Sequence, residues 1–321
     1  MTKIRVKMTN ESEFKIALYK YPDCSLAAVY GLNEMFWLTN ANCIKQKVNK
    51  RVVVSILEYD DIPDLGDEEK ILFDLIILPS SINGKHFLKQ DNRVNKWILK
   101  QHFLGSIITS ACAGAFILAG TGLLNGRKST THWMMAELFL KKFPMVNLQV
   151  EDVLIDDGDI ITAGGMMSWI DLGLAIVSRF INPQIMHLLG KQMIIDTGKR
   201  EQKFYQIFSP NLKHIDTDII KVQHFLQIHF SEEITVNQLS EKAFLGQRTF
   251  LRRFIKATGY KPTEYIQKLR VQKACELIES TNDNFENISV QVGYEDASTF
   301  RRVFKKNTGL TPGEFRRRFV R

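Results

Sequence analysis

A segment of this chain occurs twice. Slid against itself by 50 residues, the C-terminal region aligns 246–265 (GQRTFLRRFIKATGYKPTEY) with 296–315 (DASTFRRVFKKNTGLTPGEF), and nine of the 20 positions are identical. The shared residues are Thr249/Thr299, Phe250/Phe300, Arg252/Arg302, Phe254/Phe304, Lys256/Lys306, Thr258/Thr308, Gly259/Gly309, Pro262/Pro312 and Glu264/Glu314. Both copies must therefore solve the same packing problem, and each spells one helix with its stop signal. Phe250 and Phe254, like Phe300 and Phe304, lie four apart and share one buried face. Gly259 or Gly309 supplies a left-handed C-terminal residue, and the proline three further on forbids continuation. Asp296 is a natural N-cap for the second copy and Gly246 a weaker one for the first.

Upstream of each copy a second short helix is predicted, 236–243 (VNQLSEKA) and 286–292 (ENISVQV), with apolar pairs Leu239/Ala243 and Ile288/Val292. The connections are tight, Phe244-Leu245-Gly246 and Gly293-Tyr294-Glu295. Two short helices joined by about three residues form a helix-turn-helix, whose second helix enters the DNA major groove. Opposite the phenylalanines, the first copy carries Gln247, Arg248, Leu251 and Arg252, with Arg253 at its edge; the second carries Ser298, Arg301, Arg302 and Lys305. An arginine fork donates two hydrogen bonds to guanine O6 and N7, worth about 1–3 kcal/mol of discrimination, while the other cations neutralise phosphates. A solvated surface stripe is the plainer alternative. Residues 264–279 between the units read as one longer helix that sets their spacing, which on one face of B-DNA must be about 34 Å.

The region from about 218 to 321 resembles the AraC/XylS family DNA-binding domain. The resemblance is carried by the run from Ile288 through Gly293-Tyr294, Phe300-Arg301-Arg302 and Phe304-Lys305-Lys306 to Gly309-Leu310-Thr311-Pro312. It implies base contacts by Arg248, Leu251 and Arg252 in the first unit and by Ser298, Thr299 and Arg302 in the second. Leu251 departs from the polar residue common there, which points to an apolar contact such as a thymine methyl.

The charge distribution fits a polyanionic partner for this end. From residue 217 onward there are 18 Lys+Arg against 12 Asp+Glu, whereas residues 1–216 hold 25 against 23. A length of 321 residues and an apolar content of 45% suit two folded domains. Cys24, Cys43, Cys112 and Cys275 are scattered without CxxC spacing, so neither a zinc knuckle nor a disulfide framework is indicated, and a reducing, cytoplasmic setting is expected. Residues 1–14 lack the apolar core of a secretory signal. The uncharged stretch 105–126 is about long enough to span a bilayer, but its five glycines suit a strand, a tight turn and a short helix better.

From residue 14 to about 180 apolar strands (15–19, 52–57, 72–79, 105–112) alternate with helical segments (24–39, 92–101, 115–119, 133–143), and runs such as FDLIILP are apolar throughout, as strands covered on both faces must be. A doubly wound, flavodoxin-like α/β domain is expected. Within it a strand ends at Ala111 and Cys112-Ala113-Gly114 leads into a helix, an arrangement that holds a nucleophile where the helix dipole lowers a thiol pKa. A lone cysteine after a strand is more often a small core residue.

Residues 14–182 resemble the ThiJ/PfpI superfamily, which has the class I glutamine amidotransferase-like fold. The match lies in Ala111-Cys112-Ala113-Gly114, in Gly122-Leu123-Leu124-Asn125-Gly126-Arg127 leading to Thr131-His132-Trp133, and in Ile160-Ile161-Thr162-Ala163-Gly164-Gly165 followed by Ile170-Asp171-Leu172. It implies Cys112 at the nucleophile position, His132 as its partner and Glu34 as the acidic neighbour. Where the superfamily often has paired glycines after the third strand, this chain has Ser80-Ser81, so an oxyanion hole would rest on the Ser81 and Ala113 amides.

The order of the two regions resembles the GlxA-like regulators. The expected organisation is a sensor domain over 1–195, a linker over 196–216 and a double helix-turn-helix domain, all α, over 217–321. The expected partners are double-stranded DNA, a small-molecule effector bound in a pocket near Cys112, Glu34 and His132, a second copy of the chain and RNA polymerase, in an activator without membrane, metal or cofactor. The alternatives are a cysteine-dependent hydrolase or glyoxalase-like enzyme, or a thiol-based redox or electrophile sensor, centred on Cys112.

Overall fold

A computed structural model describes residues 12–63, 71–82, 84–198, 200–206 and 208–320. Most of the N-terminal stretch on which the secretory-signal expectation rests lies outside these. The chain divides into two compact units, Met1–Gln202 and Lys203–Arg321.

The first unit alternates strand and helix: β1 Ser12–Tyr19, α1 Leu26–Gln46, β2 Lys50–Leu57, β3 Leu75–Leu78, α2 Asn92–Phe103, β4 Ile107–Ala111 and α3 Gly114–Gly120. It continues with β5 Lys128–Ser129, α4 Ala136–Lys142, β6 Asn147–Leu148, β7 Leu154–Asp156, β8 Ile160–Ala163, α5 Trp169–Ile176 and α6 Pro183–Met193. The main sheet runs β2-β1-β3-β4-β8-β7, parallel except for β7, and β5 and β6 form a separate pair. The strand period of two sorts side chains onto opposite faces. Ala17, Tyr19, Ile76, Leu78, Ile108 and Ile160 join one core, while Ile16, Leu18, Leu75, Ile77, Ile161 and Ala163 join the other. Both faces are thus covered, which is why β3 is apolar throughout.

Helix starts follow side-chain capping. Ser25 accepts from the Ala28 amide to open α1, Asp91 accepts from Arg93 and Val94 to open α2, and Asn182 accepts from Gln184 and Ile185 to open α6. Expected to stop at residue 39, α1 runs on to Gln46 because nothing breaks it before Lys47, which takes the left-handed conformation. The uncharged stretch 105–126 is β4, a turn and the seven-residue α3. Among the described residues no helix is long and apolar enough to cross a membrane.

The second unit is helical: α7 Thr217–His229, α8 Val236–Lys242, α9 Gln247–Thr258, α10 Pro262–Ser280, α11 Phe285–Gln291, α12 Ala297–Thr308 and α13 Pro312–Phe319. It holds two cores. Leu239, Phe250 and Phe254 pack with Tyr265, Ile266 and Leu269 from the first half of α10. Ile288, Phe300, Phe304 and Phe315 pack with Val271, Ala274, Cys275 and Ile278 from its second half. One helix thus serves both helix-turn-helix units.

The segment 196–216, expected as a linker, is shared between the units. Gln202 is buried in the first, where its amide nitrogen donates to the Thr131 and Asp152 carbonyls at 2.9 and 3.0 Å. Phe204 and Phe208 pack against the two cores of the second unit. Gln202, Phe204 and Phe208 thus find partners, whereas Leu212 and Ile215 of the same stretch stay exposed.

Candidate nucleic-acid interface and cysteine turn

The first helix-turn-helix is α8, a turn and α9. Thr235 and Gln238 form a reciprocal capping box at the start of α8. In the turn Phe244 takes the left-handed conformation, φ 55°. The second is α11, a turn and α12, and there the left-handed residue is Gly293, φ 84°. A Cβ on Gly293 would lie 2.1 Å from the Ser231 carbonyl oxygen, so both the dihedral and the close approach demand glycine. Asp296 caps α12 by accepting from the Ser298 and Thr299 amides at 3.0 and 2.9 Å and from the Thr299 hydroxyl at 2.6 Å. Those donors hold its carboxyl below the usual range.

Exposure along the two recognition helices follows one pattern. Phe250 and Phe254, and Phe300 and Phe304, are buried, while Arg248, Thr249, Arg252 and Lys256 are exposed in α9, as are Ser298, Thr299, Arg302 and Lys306 at the same positions of α12. Gln247 is exposed and donates to Asn237 at 2.8 Å, and Lys305 is exposed one turn after Arg301. Leu251 is half-buried. Arg302 donates to the Thr299 hydroxyl at 3.1 Å, which braces two expected base-contacting side chains against each other.

Two arginines stand differently from expectation. Arg253 leaves the stripe: it forms a two-point pair with Asp216 at 2.9 and 2.6 Å and reaches Asp218 at 3.0 Å, tying α9 to the start of α7. The 100° step per residue carries position 253 round towards the buried phenylalanines, where α7 supplies carboxylates. Arg301 is exposed but paired with Glu286 at 2.7 Å, its guanidinium 5.4 Å from the centre of the Phe285 ring. Lys256, Lys306 and Thr249 belong to the exposed face and were missed as candidates. Their signal was present, since all three stand among the nine repeated positions.

Arg270, in the middle of α10, was also unanticipated. It donates to the carbonyls of Phe230 at 2.7 Å, Glu232 at 2.8 Å and Gly293 at 3.0 Å. It therefore clamps the turn of the second helix-turn-helix to the loop before the first, fixing how the recognition helices are mutually set.

In the α/β unit the strand-turn-helix expected at Cys112 is present. Cys112 sits in the left-handed region, φ 52°, between β4 and α3. Its amide donates to the Ala163 carbonyl at 2.7 Å, and its carbonyl accepts from the Thr131 hydroxyl at 2.8 Å. A Cβ on Gly114 would lie 2.1 Å from the Leu78 carbonyl oxygen, so glycine is what allows α3 to begin against the end of β3. The sulfur, however, belongs to a residue only 2% exposed. Burial pushes its thiol up to about 11, against the opposing pull of the Ala113 backbone N–H that hydrogen-bonds it. Desolvation outweighs the end of a seven-residue helix.

The remaining expected members do not assemble around it. His132 is half-buried, and its Nδ1 accepts from the Met134 amide at 3.1 Å as the cap of a short turn. Burial lowers its pKa. No hydrogen bond joins it to Cys112 among the described residues. Glu34 faces outward on α1 and is exposed, with no bond to either residue. Its GLNE context marks a helix and says nothing of which face the carboxylate takes. Tyr21 does approach: it is buried, its hydroxyl donates to the Pro79 carbonyl at 2.8 Å, and burial followed by the nearby Cys24 and Cys112 thiols raises its pKa. The Ser81 hydroxyl donates to the Asp23 carbonyl at 2.6 Å, while the buried hydroxyls of Ser80 and Ser110 have no partner among the described residues. No cluster of metal-ligating side chains occurs among the described residues.

Fold and site together define a two-part chain, a doubly wound α/β unit followed by a double helix-turn-helix unit. Comparison with known proteins bears this out: the DJ-1/PfpI family matches residues 43–179, and a helix-turn-helix domain family matches residues 239–318. The chain joins a DJ-1/PfpI domain to an AraC-type helix-turn-helix domain. It is similar to the HTH-type transcriptional regulator CdhR of Pseudomonas aeruginosa, 25% identical over 222 residues that cover 69% of this chain and 66% of CdhR. The alignment thus spans about two thirds of that relative. It is also similar to the isonitrile hydratase of Pseudomonas putida, 28% identical over 132 residues, 41% of this chain and 56% of the hydratase. Among solved structures, an AraC family transcriptional regulator from Pseudomonas putida superposes with a TM-score of 0.46 at 12% identity, over 56% of this chain and 99% of that one.

Proposed function

We propose that the chain is a sequence-specific regulator of transcription that reads double-stranded DNA through α9 and α12 and answers to a small molecule through its α/β unit. The observation that carries this reading is the repeated exposure pattern, in which Arg252 and Arg302 stand at equivalent solvent-facing positions of two recognition helices. Arg248, Lys256, Lys305 and Lys306 supply further positive charge beside them. CdhR, a transcriptional regulator by name, aligns over 69% of the chain, so the alignment extends beyond either unit alone. Homodimerisation, cytoplasmic residence and contact with RNA polymerase complete the reading.

The effector site fits the carboxyl ends of the strands, where open α/β sheets bind ligands near the point at which strand order reverses. In this sheet the order reverses at β1, which pairs with β2 on one side and β3 on the other. A cavity of about 390 Å³ opens past the carboxyl ends of β1 and β2, lined by Tyr21, Asp23, Cys24, Leu26, Glu58 and Tyr59. Its size suits a small metabolite. A catalytic role for Cys112 gains nothing from a buried, protonated thiol without a histidine partner.

Electrophoretic mobility shift with the region upstream of the protein's own coding sequence, at stated salt, tests the reading. Arg252→Ala and Arg302→Ala are each expected to weaken specific binding by about 1–3 kcal/mol, roughly 5- to 150-fold. A full-length protein that gives no specific shift, with neither substitution altering its DNA binding, would overturn it.

A further inference from the structure

The two helix-turn-helix units differ at the turn. Gly293 is dictated by its surroundings, but at the corresponding left-handed position of the first unit stands Phe244, a bulky side chain in a conformation that L residues resist. The residue is 91% exposed, so burial does not offset the strain. Phe244 is thus strained and solvated at once, a combination shared by Ile194 at the C-cap of α6, so its weight here comes from the groove it borders.

The ring borders a groove of about 530 Å³ in which Phe225 and Ile234 supply further apolar surface. Three carboxylates line it, Glu232, Glu233 and Glu241, against one ammonium, Lys242, which lies 4.1 Å from the centre of the Phe225 ring. Glu232 pairs with His229 at 2.7 Å and Glu241 accepts from Asn237 at 2.6 Å. Glu233 is exposed with no partner among the described residues. From residue 217 onward cations outnumber anions 18 to 12, so this acidic groove interrupts a basic unit. Carboxylates repel phosphates, which argues against DNA as its occupant; an apolar segment flanked by cations is its complement.

We propose that the groove beside Phe244 docks a basic amphipathic helix of a partner protein. Phe244 and Ile234 receive its apolar side chains, the Phe225 ring being already stacked on His229 and covered by Lys242, and Glu233 with Glu241 receive its Lys or Arg. The chemistry stands on the groove itself, and only its role, linking DNA-bound protein to a neighbour, rests on the regulator reading.

The test is fluorescence anisotropy of a labelled 14-residue helical peptide with a leucine stripe flanked by arginines, titrated with the full chain. A second peptide carries glutamate in place of every arginine. The arginine peptide is expected to bind saturably, with affinity at least tenfold lower for Phe244→Gly and for Glu233→Arg, and the glutamate peptide at least tenfold weaker throughout. Glycine takes the left-handed conformation freely and residue 233 is on the surface, so both variants keep the fold, which circular dichroism checks. Saturable binding that neither variant alters, equal binding of both peptides, or no saturable binding overturns the proposal. Self-association lost in Phe244→Gly would assign the groove to a second copy, and a loss of DNA affinity in that variant would assign it to DNA; either also overturns it. Failure of the regulator reading shows separately, as absence of a specific mobility shift.

Discussion

Cys112 and Phe244 are both non-glycine residues in the left-handed region, and the fold treats them in opposite ways. Cys112 is held on both sides, by the Ala163 carbonyl and the Thr131 hydroxyl, and its side chain is buried. Phe244 is exposed. With its thiol near 11, Cys112 at pH 7 is thiolate to on the order of one part in ten thousand. Cys24 is also pushed up to about 11, and Cys275 to about 12, but Cys24 alone among the described cysteines is partly exposed. Iodoacetamide labelling of the native protein at pH 7, read by peptide mass spectrometry, is therefore expected to modify Cys24 first and Cys112 no faster than Cys275. Preferential labelling of Cys112 would restore the nucleophile or sensor role. The Ala-Cys-Ala-Gly run made the turn legible; whether the sulfur faces solvent depends on what packs over it, which no local pattern carries.

At the scale of the element, the repeat made α9 and α12 legible down to their stops. Their C-caps are Gly259 and Gly309, at φ 79° and 76°, as the glycine-proline spacing required. The partners of the helix edges were not legible, and Arg253 is the instructive case. Its Asp216 partner also caps α7, accepting from the Ile219 amide at 3.3 Å. The Arg253 guanidinium holds the Asp216 carboxyl below the usual range. A depressed folded-state pKa contributes stability that is present above the unfolded carboxylate pKa and is lost as pH falls through the folded value. Asp216→Asn keeps a capping side chain but removes the charge. It is expected to speed hydrogen exchange in α7 and α9 at neutral pH. The difference from wild type should vanish as the pH falls through the folded-state pKa of Asp216, which lies below the ordinary carboxylate range. A variant that differs equally at both pH values would show that the loss comes from the cap and not from the ion pair.

At the scale of the whole molecule, the basic excess lies in the C-terminal third, but pairing decides how much of it faces DNA. Arg253 and Arg270 are committed within the unit, and Arg301 shares its charge with Glu286. Lys256, Lys305 and Lys306 remain beside the expected base-reading arginines Arg248, Arg252 and Arg302. If those three lysines meet phosphates, the logarithm of the binding constant should fall with the logarithm of salt concentration with a slope of about −3 per chain. Binding titrations from about 50 to 200 mM salt measure it. A slope near −1 would mean the stripes do not meet the backbone.

The sequence by itself determined that there are two domains, that one is doubly wound and the other carries a repeated helix-turn-helix, and where each recognition helix ends. These follow from periodicity, capping and stop residues, which act over a few positions. The tertiary structure alone decided which functional-looking side chains are free to function. It buried the Cys112 thiol, turned Glu34 outward, paired Arg253 with Asp216 and left Phe244 in the open. Exposure and pairing are set by residues distant in the chain, as the separation of 37 residues from Asp216 to Arg253 shows, and no local pattern records them.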